Sequence, residues 1–109
     1  MADTAITIQK FPSAALLTDA YTVPGATLTE IRSIVVCNQN TNPDRVRISI
    51  AIAGAANSQK QYIVYDYPVA GFFSQGFTLG PFTLNPTDVI RIYSLIGNAA
   101  FTIFGMETT

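Results

Sequence analysis

The chain has 109 residues, a length that suits one domain able to bury roughly two-thirds of the surface its unfolded form would expose. Hydrophobic residues make up 49% and charged residues only 12%, about half of the roughly 25% usual in soluble proteins, and the net charge is −1. Its six basic residues cluster only at Arg45 and Arg47, too few for a phosphate-binding stripe, and histidine is absent, which removes Ser-His and Cys-His nucleophile pairs and imidazole metal ligands.

In chain order, residues 1–15 read as an N-terminal arm or edge segment with a short strand at Ile6–Ile8, and residues 16–109 as the domain proper. A segment such as Ala2–Phe11 is of the kind that can extend onto a neighbouring subunit by adding a strand. Leu16–Val23 reads as a strand stopped by Pro24-Gly25. Leu28–Cys37 is rich in β-branched residues and runs into the turn formers Asn38 to Asp44. Cys37, the single cysteine, closes the apolar run from Ile34 and reads as a small buried hydrophobe; no internal disulfide can form. Val46, Ile48, Ile50 and Ile52 then alternate with Arg45, Arg47, Ser49 and Ala51, the period of a half-buried strand. These last two strands are expected to pair as a hairpin across a long polar loop.

Further on, Gln61–Tyr67 is a Tyr/Ile/Val run closed by Pro68, and Phe72–Leu79 is another run, bounded by Gly71 and Gly80-Pro81. The turn Leu84 to Asp88 launches Val89–Ser94, and Gly97-Asn98 leads into Ala99–Glu107, with Phe101 and Ile103 on one face and Thr102 and Phe104 on the other. Seven to eight short strands at this spacing predict an all-β fold, an antiparallel β-sandwich of jelly-roll or Greek-key type.

The residues offer little chemistry. Asp44, Asp66 and Asp88 lie in or beside predicted turns, where an Asp carboxylate caps backbone N–H groups, so a catalytic carboxylate pair is not expected. The loop from Asn38 to Asp44 has one carboxylate, too little charge for a firm calcium site. Gly54-Ala55-Ala56 lacks the Lys and second Gly of a phosphate loop. No enzyme, cofactor or metal site is therefore expected. The N-terminus lacks a basic region followed by an apolar stretch, and no run approaches the about 20 apolar residues that span a bilayer, so neither secretion nor a membrane partner is expected.

What remains is aromatic: seven of the twelve Phe and Tyr residues fall between Tyr62 and Phe82. Strand alternation, if regular, turns Tyr65 and Tyr67 away from Tyr62, and adjacent Phe72 and Phe73 cannot both enter one core. Large rigid rings are favoured at interface centres. The candidate protein interface is accordingly Arg45, Arg47, Tyr65, Tyr67, Phe72 and Phe73. Exposed rings on a sandwich can also stack on sugar faces, although such platforms usually use Trp, which is absent.

Several segments together resemble a group of small virion-associated proteins encoded by tailed bacteriophages. They are Tyr21-Thr22-Val23-Pro24, Ser33-Ile34-Val35-Val36-Cys37-Asn38, Tyr62-Ile63-Val64-Tyr65-Asp66-Tyr67-Pro68, Thr83-Leu84 followed by Asp88-Val89-Ile90-Arg91-Ile92-Tyr93-Ser94, and Phe101 to Glu107. The usual form of the turn before that fourth run has Gly ahead of Asp, and here Thr87 takes the place. The resemblance implies a structural role in a virion: a capsid-decorating cement protein, or else a small tail or baseplate component. It also implies a homo-oligomer, a trimer being common among cement proteins of this size, with the major capsid protein or other virion proteins as partners and no nucleic acid. A glycan- or receptor-binding module is the competing reading.

Overall fold

The computed structural model describes residues 2–78 and 81–109. Among the described residues nine strands form, all paired antiparallel: β1 (Asp3–Lys10), β2 (Thr18–Thr22), β3 (Leu28–Asn38), β4 (Asp44–Ala51), β5 (Tyr62–Val69), β6 (Ser74–Phe77), β7 (Phe82–Leu84), β8 (Val89–Ser94) and β9 (Ala99–Thr108). One sheet has the order β1-β9-β3-β6, with β7 also on β3, and the other has β2-β8-β4-β5. Successive strands pass from one sheet to the other at β1–β2, β2–β3, β3–β4, β5–β6, β7–β8 and β8–β9, and short β6 and β7 share the place of one long strand beside β3. That is the jelly-roll form of the sandwich.

The alternation in the sequence decides which faces meet. Val46, Ile48, Ile90 and Ile92 of one sheet face Ile31, Ile34, Val36, Phe101 and Ile103 of the other, and all are essentially buried. Each fully buried Ile or Val contributes roughly 1.5–3 kcal/mol from the area removed from water. Across one end of this core the Tyr21 hydroxyl on β2 bonds to Thr29 Oγ1 at 2.8 Å and donates to the Glu107 carboxylate, joining the two sheets by polar contacts.

Three expectations need correction. β3 and β4 are not a hairpin; they lie in different sheets and meet through the core, because period-two patterning sets which face is apolar and leaves the neighbouring strand open. Cys37 pairs with Ala100 on the outer face of the first sheet and is half-buried, since Ile34 and Val36 take the inward positions. The run from Phe72 is a strand only over Ser74–Phe77, with Phe72 and Phe73 in the preceding turn; the expected end at Leu79 and the bounding Gly80 lie outside the described residues. Residues Asp3–Lys10 pair with β9 of their own chain as an edge strand.

The turn from Asn85 to Asp88 carries a backbone cost. Asp88 N–H donates to Asn85 O, Pro86 occupies the second position, and Thr87 at the third has φ 71°, the left-handed region where Gly is favoured.

Candidate interaction surfaces

The outer face of the β2-β8-β4-β5 sheet carries an organised cation. Arg47 lies opposite Tyr93 of β8, and its guanidinium sits 4.4 Å from the centroids of both the Tyr93 and the Tyr65 rings. Its Nε donates to Asp66 Oδ1 at 2.5 Å, while Arg45 Nη1 donates to the Asp66 carbonyl at 3.2 Å. The hydrogen bond from Arg47 holds the Asp66 carboxyl below its ordinary value, and the same bond raises the guanidinium further above its own. Cation–π contact with both rings, together with the bond to Asp66, holds the guanidinium in the cluster.

Two register irregularities in β5 build the cluster. Tyr65 and Asp66 together oppose Arg47, with Asp66 at φ 51°, and a second slip places Tyr62 opposite Ser49. The expected division, Tyr65 and Tyr67 on one face and Tyr62 on the other, is thereby regrouped, with Tyr65 outward as expected. Tyr62 joins Tyr65 on the outer face, the rings 5.0 Å apart and edge-to-face, while Tyr67 pairs with Val46 on the inner face and packs edge-on against Phe77 at 5.2 Å. Gln59, Tyr62 and Tyr65 border an open cleft of about 380 Å³.

A second surface lies at the end of the sandwich where β3, β5 and β8 finish. Phe72 and Phe73 are 70% and 52% exposed. Their turn is held rigidly from beneath by Asn38, which is buried: its Nδ2 donates to Asn42 O, Val69 O and Ala70 O, and its backbone N–H donates to Phe73 O. Phe72 has φ 55°, and its N–H donates to Asn40 O at 2.9 Å. Gly71 is required here, because a Cβ would stand 2.1 Å from Thr41 O. Leu16 and Leu95 are also exposed at this end, with Ala15 N–H donating to Ser94 O and Leu95 N–H to Arg45 O.

Of the six residues singled out from sequence, the structure thus brings Arg45, Arg47 and Tyr65 together on one sheet face, puts Phe72 and Phe73 on an end turn, and sets Tyr67, 40% exposed, at the sandwich margin against Phe77. Sequence reasoning missed Tyr93 and Asp66 as members of the cluster. Alternation along Ile90-Arg91-Ile92-Tyr93 carried a signal for Tyr93, but its meeting with Arg47 needs the β4–β8 pairing.

Asp44 and Asp88 do turn chemistry. Asp44 is buried and accepts from the N–H groups of Arg45 and Ile96 and from the Ser94 hydroxyl; Asp88 accepts from the N–H groups of Ala53 and Asn85. Among the described residues no group of three or more His, Cys, Asp or Glu is placed to hold a metal ion, and no helix is long and apolar enough to cross a membrane. No protein-family model matches the chain, and no curated protein does.

Proposed function

We propose that the domain is an assembly subunit, a structural protein of a tailed-bacteriophage virion of the capsid-decorating kind, which works by protein–protein contact. The observation that carries the assembly reading is the Phe72–Phe73 turn: two phenyl rings largely in water on a backbone hydrogen-bonded to the Asn38–Asn42 segment. The total exposed surface, 5768 Å², is close to the about 5,900 Å² expected of a closed monomer of this mass, so the rings are not out because the core is incomplete. Rigid aromatic anchors are the residues that dominate interface energies, because they lose little entropy on docking. The virion setting is supported by the sequence resemblance alone.

The test is co-sedimentation of the domain with capsids assembled from the major capsid protein of the same genome. Saturable, stoichiometric binding that is lost in Phe72→Asn with Phe73→Asn is expected; absence of binding to capsids refutes the decoration role, and the same assay on tails and baseplates then decides the tail alternative.

A specific observation favours the glycan reading as a second. Tyr65 is 56% exposed, has one ring face on Arg47 and borders the cleft with Tyr62 and Gln59, a setting in which a pyranose can stack. Binding on a sugar array that disappears with Tyr65→Ala would move the assignment there.

A further inference from the structure

A sandwich has four sheet edges, and each is a row of backbone groups able to template another chain unless something blunts it. Three are blunted in this fold. β2 is five residues long and its register slips between Asp19 and Tyr21; β5 slips twice and contains Pro68; and the edge beside β3 is divided between β6, of four residues, and β7, of three. β1 differs: it runs eight residues in unbroken register with β9, without Pro or a bulge, and its charges, Asp3 and Lys10, stand only at its ends. Among the described residues nothing pairs with its other side.

The hydrogen-bond phase of that free side can be read out. Ala2 and Thr109 exchange both backbone hydrogen bonds, so in the antiparallel ladder the even positions Thr4, Ile6, Ile8 and Lys10 are committed to β9. The N–H and C=O groups of Asp3, Ala5, Thr7 and Gln9 point out to the open edge.

We propose that this edge pairs with β1 of a second copy of the chain, antiparallel about a two-fold axis through Ile6, so that the two first sheets become one. This deepens the assembly reading by naming a partner, and it is argued from self-complementarity. A two-fold axis normal to the sheet keeps the inner faces on the same side. The register centred on Ile6 sets Asp3 opposite the second copy's Gln9, and Ala5 opposite its Thr7. It satisfies every open group of the four residues, about eight hydrogen bonds, whereas a shift of two residues in either direction leaves some of these groups outside the strand-to-strand match. No like charges face each other in it. Ile6 and Ile8, partly exposed in the single chain, meet Ile6 and Thr4 of the copy and extend the inner apolar row.

The proposal is tested by sedimentation velocity of the intact chain over a concentration series, with three variants. Thr7→Pro deletes an N–H that faces the open edge and none that β9 uses, so the fold should persist, by far-UV circular dichroism, while the dimer is lost. Ala5→Lys with Thr7→Lys opposes like charges across the axis and should weaken dimerisation by about a hundredfold or more. Ala5→Glu with Thr7→Lys opposes unlike charges only in the register centred on Ile6, and should restore the dimer. A chain that stays monomeric at high concentration, a trimer, or a dimer indifferent to all three variants overturns the edge pairing. Capsid binding by such a chain would leave the assembly reading standing, and loss of capsid binding by an edge-paired dimer would do the reverse.

Discussion

Phe72→Asn separates the cost of the exposed turn from its use. Phe72 is 70% exposed, and a phenylalanine buries about 150–250 Å², so roughly 100–175 Å² of ring surface is open to a partner. At about 25 cal/mol per Å², covering it is worth roughly 2.5–4 kcal/mol of association, a factor of about 70 to 900 in affinity. On the folding side the change removes only the buried third of the ring, costing about 1–2 kcal/mol. Against that, a side chain at φ 55° carries a left-handed backbone penalty of about 1 kcal/mol, much of which Asn relieves. The two effects on the isolated domain offset in part, leaving a net loss of at most about 1 kcal/mol. Thermal unfolding should therefore stay within a few degrees of the parent while partner binding, by titration against capsids, drops at least about fiftyfold. Gly71→Ala gives the contrast: its Cβ would collide with Thr41 O, so stability and binding should fall together. Unchanged binding by a normally folded Phe72→Asn protein would refute the anchor.

Thr87→Gly should stabilise the domain by about 0.5–1 kcal/mol, since a β-branched residue at φ 71° is strained beyond the entropy that Gly loses; a lower melting temperature contradicts this. Burial, and next the hydrogen bond to Glu107, push the Tyr21 hydroxyl from 10.0 up to about 12. The folded state thus holds that proton more tightly, so the contribution is complete below pH 10 and lost as pH rises through 12; denaturant titrations should show that loss in the parent and not in Tyr21→Phe. Asp66 behaves oppositely: its carboxyl is depressed by Arg47, so its contribution is present above about pH 4 and lost as acid protonates it, and Asp66→Asn should flatten that part of the acid-stability curve. Arg47→Lys should cost about 1–2 kcal/mol by chemical denaturation although the charge is kept, because an ammonium cannot lie flat between Tyr65 and Tyr93.

The strands were legible where one face is buried along their length. Val46-Ile48 and Phe101-Ile103 announce their inward faces by strict alternation, and the jelly-roll alternative was within reach of the strand count. Pairing was not legible, since β3 and β4 show the same pattern whether they lie side by side or face to face. The candidate surfaces were legible by residue type but not by grouping. Asp66 adopts positive φ without being Gly, so the bulge that divides Tyr65 from Tyr67 left no glycine signal, and Gly71 marked the turn before Phe72 without showing that Phe72 itself takes a left-handed conformation. Residues 1–15 read only as an arm or edge segment, with a strand at Ile6–Ile8, because little burial selects the residues of β1: one edge and much of both faces are open.

The most direct test of the central claim is cross-linking from the end turn. With a photoreactive phenylalanine analogue in place of Phe72, irradiation of intact particles carrying the domain should join position 72 to a defined segment of another virion protein, identified by mass spectrometry. If position 72 reacts only with solvent while the domain remains on the particle, the Phe72–Phe73 turn is not the docking surface.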